Sequence, residues 1–181
     1  LSNGRGCKLN KLLKRLEHLN KRTLYLIGFI DCLLLISYAL YSEHVLGLEP
    51  CPLCVFQRIA VILVGFIFLV LAVFVPKTSV TKFISSMLIT ITSLSGVIIA
   101  GRHVWLQNLP PDKVPGCGPG LDFMVSTFPL SEVFEMVFTG SGECANVDWS
   151  FLSLSMPAWV MILLVLIGCY GVWITYKRDI I

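Results

Sequence analysis

Charge is what this chain has least of. Asp, Glu, Lys and Arg make up 14% of its 181 residues while apolar types make up 56%, which leaves too little polar surface to coat a water-soluble domain of this size. A lipid bilayer is the solvent that fits. The sequence also lacks the two-residue alternation of a membrane β-barrel, and because lipid offers no partner to open backbone groups, the spanning segments are expected to be helices. No cleavable signal is expected either. The basic N-terminal arm leads into a run too long for a signal-peptide core and without a small-residue cleavage site, so the first span is expected to act as an uncleaved anchor.

What is present is a set of four apolar runs, Thr23 to Leu46, Val55 to Val75, Val80 to Trp105 and Leu154 to Trp173. Each is long enough to cross a hydrocarbon core of about 30 Å, which takes roughly 20 residues of helix. The expected fold is an all-α membrane protein, a four-transmembrane-helix bundle with two outward loops, the second long and partly amphipathic. The expected organisation is a basic cytoplasmic arm at 1–22, a transmembrane domain at 23–174 with loops at about 47–54 and 106–153, and a cytoplasmic tail at 175–181.

Orientation follows from Lys and Arg, which mark the cytoplasmic flanks. They cluster as Lys8, Lys11, Lys14, Arg15, Lys21 and Arg22 in the arm, Lys77 and Lys82 in the turn after the second span, and Lys177 and Arg178 in the tail. The other two loops carry Glu43 and Glu49, and Asp112, Asp122, Glu132, Glu135, Glu143 and Asp148 against a single Lys113. Both termini are therefore expected in the cytoplasm. Leu9, Leu12, Leu13 and Leu16 recur at helical spacing among the basic residues, which suits either a short helix on the anionic inner leaflet or a solvated arm that only sets topology.

Topology sorts the seven cysteines. Cys51, Cys54, Cys117 and Cys144 fall in the outward loops, where an oxidising compartment lets disulfides form and persist. Cys7 falls on the reducing side, and Cys32 and Cys169 fall within spans, where a thiol behaves as a small hydrophobe. No function is expected of those three.

The first pair carries the sharper signal. Pro50-Cys51-Pro52-Leu53-Cys54 stands immediately before the second span, so both sulfurs are expected at a helix N-terminus, whose dipole favours a thiolate. Arg58 follows Cys54 by four residues, on the same face about 6 Å deeper. An arginine at that depth usually has a partner or a task, the plain alternative being that it snorkels to the headgroups. Asp31, near the middle of the first span, is read as structural and held inside the bundle.

The second pair is looser. Cys117 lies in Pro115-Gly116-Cys117-Gly118-Pro119-Gly120 and Cys144 in Gly140-Ser141-Gly142-Glu143-Cys144, so both are expected on mobile, exposed backbone suited to thiol–disulfide exchange. A purely structural bridge, stabilising by roughly 3 to 4 kcal/mol, fits these two residues about equally well. Zinc is not expected. Cys-x-x-Cys is a common half of a tetrahedral site, but Cys117 and Cys144 are far apart with no nearby histidine to make the other half.

These features together carry a resemblance. Glu49-Pro50-Cys51-Pro52-Leu53-Cys54, Gln57-Arg58, Gly101-Arg102-His103-Val104-Trp105-Leu106-Gln107, Gly116-Cys117-Gly118-Pro119-Gly120-Leu121-Asp122 and Ser155-Met156-Pro157-Ala158-Trp159 resemble the disulfide bond formation protein B (DsbB) family, over nearly all of Thr23 to Trp173.

The resemblance implies a protein-dithiol:quinone oxidoreductase of the bacterial inner membrane. Cys51 and Cys54 would be the quinone-coupled pair, with Cys54 contacting the quinone and Arg58 stabilising its thiolate. Cys117 would form the mixed disulfide with a periplasmic, DsbA-like thioredoxin-fold partner, and Cys144 would resolve it. His103 matches a family histidine near the quinone, although its place at the end of the third span equally suits an ordinary interface residue. The implied cofactor is ubiquinone or menaquinone, and the implied partners are the dithiol oxidase, the quinone pool and the bilayer, with no nucleic acid and no metal. Such a partner sits near about −120 mV against about −270 mV for an ordinary thioredoxin-like pair, so the Cys51 and Cys54 disulfide must be unusually oxidising or continuously drained.

Leu121 to Phe138, rich in Phe and Val, could lie on the membrane and hold Cys144 near Cys51, or be a plain packing surface. Two other readings remain for the whole chain. One is a membrane scaffold whose outward cysteines brace two loops. The other is a quinone reductase of the vitamin K epoxide type, against which the adjacency of Cys-Pro-Leu-Cys to the second span argues.

Overall fold

The computed structural model describes residues 20–48, 50–110, 127, 129, 132, 142, 144–145 and 149–177, and the backbone of 143. Four long helices dominate it: α1 (Lys21–His44), α2 (Pro52–Val73), α3 (Ser79–Gln107) and α4 (Met156–Tyr176). All four are long and apolar enough to cross a membrane, and they form the four-helix bundle expected. The span limits differ from those read in the sequence by one to three residues: α3 extends beyond its apolar run at both ends, whereas α1 and α2 end before Leu46 and Val75 and α4 begins after Leu154.

The helix ends have local causes. Asn20 caps α1 by accepting from the Arg22 amide at 3.4 Å. Thr78 caps α3 through a reciprocal box in which the Thr78 hydroxyl accepts from the Thr81 amide and the Thr81 hydroxyl accepts from the Thr78 amide, satisfying two orphan donors at once. Pro52 and Pro157 stand in the first turns of α2 and α4, where a missing N–H costs nothing and the fixed φ suits the helix.

Each helix packs on its neighbours in chain order, and α4 closes back on α1. One seam is polar: the Tyr25 hydroxyl on α1 meets the Thr175 hydroxyl on α4 at 3.0 Å, and the Tyr170 hydroxyl donates to the Leu24 carbonyl at 3.1 Å. The start of α1 therefore lies against the end of α4, as an antiparallel bundle requires. The core fills with Leu24, Val64, Phe68, Ile89, Leu164 and Ile174, all fully buried. Small residues allow the helices to approach closely, a packing rule of membrane bundles. A Cβ on Gly96 would lie 2.7 Å from Leu164 Cδ1 and 2.9 Å from Ala60 Cβ.

Outward faces are apolar and exposed, with Ile30, Leu33, Leu34, Ile62, Phe66, Phe83, Leu94 and Leu166 among them. That inverted pattern is a lipid-facing surface. Asp31 corrects the sequence reading: it is exposed on the outside of α1 rather than enclosed in the bundle. The inward face of that turn is taken by Cys32, only 2% exposed, whose Cβ fits against Gly65 of α2.

Two small features were not expected in an all-α chain. Residues Gly142–Ala145 form a 3-10 turn packed on α3. Strands β1 (Ser150–Phe151) and β2 (Leu154–Ser155) pair antiparallel just before α4, with Leu152 and Ser153 at φ of 52° and 64° in the turn. That conformation is paired with an anchor on the following helix, where Trp159 Nε1 donates to the Phe151 carbonyl at 3.0 Å.

Candidate functional site

One end of the bundle gathers the residues of interest from three helices and the 3-10 turn. Cys51 is the N-cap of α2, in extended backbone at φ −67° and ψ 161°, and it accepts the Val55 amide on its carbonyl at 3.2 Å. Pro52 starts the helix behind it, so Cys54 falls in the first turn. Cys51 and Cys54 thus occupy the helix start expected of them, where unpaired backbone N–H groups favour negative charge. Their sulfurs lie 3.1 Å apart.

His103 comes from the last turns of α3 and is 2% exposed. Its side chain is enclosed at this end of the bundle. Its Nε2 lies 3.7 Å from Cys51 Sγ and its Nδ1 4.0 Å from Cys54 Sγ. Gln57, one turn further along α2 and 4% exposed, places its side-chain nitrogen 3.0 Å from His103 Nδ1. A buried imidazole held by a buried amide has a fixed ring plane, and its tautomer follows the end of the amide that Gln57 presents. Where Gln57 donates to Nδ1, the ring proton sits on Nε2 and faces the Cys51 sulfur.

Arg58 points elsewhere than the sequence spacing suggested. Its guanidinium reaches α1, where one nitrogen pairs with the Glu43 carboxylate and the other donates to the Ala39 carbonyl at 3.3 Å. The partner of this arginine is therefore the last turn of the preceding helix, across the α1–α2 connection. Both side chains stay partly exposed, at 21% and 30%.

Cys144 corrects a second expectation. Flanking glycines predicted an exposed thiol on mobile backbone, yet Cys144 is 1% exposed. Leu53 and Leu106 supply the reason: together with Cys51 they form an apolar cluster at this end, and Cys144 is its fourth buried member. Cys117, and the Leu121 to Phe138 stretch expected on the membrane except for Thr127, Pro129 and Glu132, lie outside the described residues.

Two residues were missed as site members. Gln57 read only as part of a motif, and nothing in its spacing pointed to His103, 46 positions away. Glu43 read as loop charge, although a carboxylate 15 residues before an intramembrane arginine, across one short connection, was a usable signal. The donor atoms of Cys51, Cys54 and His103 all lie within 4.8 Å of one another. That set is two sulfurs and one imidazole nitrogen, which can exchange protons, exchange disulfides or ligate a soft cation.

Comparison with known proteins adds an independent finding. Residues 21–174 match the family model described as disulfide bond formation protein DsbB. Proteins named disulfide bond formation protein B are similar over most of their length. The one from Nitrosococcus oceani is 47% identical over 155 residues, covering 86% of this chain and 91% of the relative. Those from Hahella chejuensis and Methylococcus capsulatus are 46% identical over 155 residues and 47% identical over 150, covering 86% and 83% of this chain and 92% and 91% of the relatives.

Proposed function

The chain belongs to the disulfide bond formation protein DsbB family, and from that premise we propose that it is a quinone-dependent oxidase that reoxidises a periplasmic thioredoxin-fold dithiol oxidase of the DsbA type. It is a multi-pass membrane protein with a disulfide-forming role. Under this proposal it resides in the bacterial inner membrane, with the arm at 1–22 and the tail at 175–181 in the cytoplasm and the four loop cysteines in the periplasm. Its transmembrane part, 23–174, is the oxidase.

The observation that carries this reading is the placement of Cys51 and Cys54 at the start of a membrane helix, with His103 packed against both sulfurs. In the proposed sequence a thiolate of the partner attacks Cys117 of a Cys117–Cys144 disulfide, and Cys144 leaves as thiolate. The partner's second thiol displaces Cys117, closing the partner's disulfide. The reduced pair then exchanges with a Cys51–Cys54 disulfide, so the two electrons come to rest on Cys51 and Cys54. Burial of Cys144 in one cluster with Cys51 supports exchange between those two sulfurs.

A quinone, ubiquinone or menaquinone, supplies when bound an acceptor for two electrons and two protons. The residues at this end fit such a group: Arg58 and His103 offer N–H donors suited to carbonyl oxygens, Cys54 offers the sulfur, and exposed Ile59 and Ile62 on the same helix leave the site at a lipid-facing surface. Arg58 stays partly accessible there. With Glu43 fixing its position, its charge stabilises a thiolate at Cys54. Since stabilising the reduced form raises a disulfide's potential, Arg58 and the helix terminus make the pair more oxidising.

The test combines detergent-solubilised protein, a quinone and a reduced thioredoxin-fold oxidase, with quinol formation followed by absorbance. Stoichiometric quinol is expected from the intact chain and none from Cys54→Ser. Retained turnover in Cys54→Ser would sink the assignment.

A further inference from the structure

We infer that the reduced Cys51–Cys54–His103 cluster is a redox-gated site for a thiophilic divalent cation, Zn2+ in chemical class, which traps the protein in its reduced form. The donors are Cys51 Sγ, Cys54 Sγ and one ring nitrogen of His103, all within 4.8 Å of one another; we assign Nε2, the nitrogen beside Cys51. Two sulfurs and one imidazole form the three-protein-ligand set of an open zinc site, with the fourth tetrahedral position left to an exogenous ligand.

The distances already approach a ligated arrangement. With Zn–S near 2.3 Å and Zn–N near 2.0 Å, a tetrahedral ion holds its ligand atoms roughly 3.5 to 3.8 Å apart. Cys51 Sγ and His103 Nε2 are 3.7 Å apart, inside that range. The two sulfurs, at 3.1 Å, need to separate by less than an ångström, which a rotation of the Cys54 side chain in the first helical turn provides.

The outer shell is in place as well. A ligating histidine almost always gives its other ring N–H to a fixed acceptor. Gln57 occupies that position at 3.0 Å from Nδ1, and turning its amide over presents oxygen to a protonated Nδ1 and frees Nε2 to bind. Leu53 and Leu106, at 1% and 0% exposure, close the site with apolar walls.

Chemistry supplies the gate. Binding releases the two thiol protons and moves no electrons. A Cys51–Cys54 disulfide has no thiolate to offer, so the ion competes only with the reduced state and holds it from reoxidation. The oxidation-state dependence rests on the reading of Cys51 and Cys54 as a redox pair, whereas the metal site itself does not.

Cobalt titration of the full chain in detergent, under anaerobic conditions, tests it, with Zn2+ displacement as the competition. The reduced chain is expected to bind one ion with a sulfur-to-cobalt charge-transfer band and tetrahedral d–d bands. Cys51→Ser and Cys54→Ser each remove the two-sulfur signature. Gln57→Leu weakens binding by about 10-fold to 100-fold and His103→Ala, which removes a ligand, by at least as much, while Cys32→Ser with Cys169→Ser leaves it intact. The wild-type chain oxidised by excess quinone is the folded control and binds no ion. Equal binding by oxidised and reduced chains, or undiminished affinity in His103→Ala, overturns the proposal. A thiol count in the oxidised sample separates the two readings. A missing Cys51–Cys54 disulfide there counts against the proposed function, and the titration of the reduced chain then decides the metal site by itself.

Discussion

Gln57 and His103 are locked together at 3.0 Å across the α2–α3 interface, each almost fully buried. Replacing Gln57 with Leu leaves His103 Nδ1 without this partner in a dry site, which costs about 1 to 3 kcal/mol. Thermal unfolding in detergent is expected to show that loss. Turnover with saturating quinone is expected to fall as well, because the ring no longer has a fixed orientation beside Cys51. An unchanged unfolding midpoint together with unchanged turnover would remove Gln57 from the site.

Arg58 and Glu43 give a second prediction. Glu43→Ala strips the guanidinium of its carboxylate while leaving the Ala39 carbonyl contact. The pair is partly exposed, so its stability contribution is about 1 kcal/mol or less. The larger expected effect is functional: a guanidinium no longer tied to α1 should raise the KM for quinone, and Glu43→Gln, which keeps an acceptor, should restore part of it. Equal KM values for wild type, Glu43→Ala and Glu43→Gln would mean that the ion pair only braces the α1–α2 connection.

How much of this was legible depended on the kind of contact involved. The four spans were readable because length and apolarity are enough to cross lipid, and the position of Cys51 was readable because Pro50 and Pro52 bracket a helix start. Contacts between helices were not. Sequence spacing placed Arg58 relative to Cys54 along one helix, but the guanidinium turned to Glu43 on another, where a carboxylate outcompetes a neutral sulfur as a partner. Gly140 and Gly142 suggested an open backbone at Cys144, and the apolar surface of Leu53 and Leu106, assembled only in the fold, buried it. Asp31 was misplaced for a similar reason: periodicity did not say which side of α1 would be claimed by Cys32 and Gly65.

The bundle itself offers a test free of redox chemistry. At Gly96 an added methyl group meets Leu164 Cδ1 at 2.7 Å and Ala60 Cβ at 2.9 Å, so α2 and α4 both resist it. Gly96→Ala is expected to destabilise the fold by about 1 to 3 kcal/mol through overpacking, read as a lowered unfolding midpoint. Gly101→Ala is the matched control on the same helix, since its nearest neighbour would be Met161 Sδ at an ordinary 3.9 Å. Equal midpoints for the two variants would show that α3 is not seated between α2 and α4 as described.

The hydroxyl seam between α1 and α4 separates stability from activity most cleanly. Tyr25→Phe removes the 3.0 Å bond to the Thr175 hydroxyl, but Thr175 retains its bond to the Gly171 carbonyl at 2.8 Å, so the Thr175 donor is not orphaned. The cost is accordingly that of one ordinary hydrogen bond, about 0.5 to 1.5 kcal/mol. Because Tyr25 lies at the opposite end of the bundle from Cys51, the quinol formation rate is expected to stay close to that of wild type below the unfolding temperature. Thr175→Val goes further, since it removes the hydroxyl that takes part in both bonds. It is expected to cost more than Tyr25→Phe, and a Tyr25→Phe variant as stable as wild type would show that the seam is held by the Tyr25 ring against Phe68, 6.2 Å between centroids, rather than by its hydroxyl.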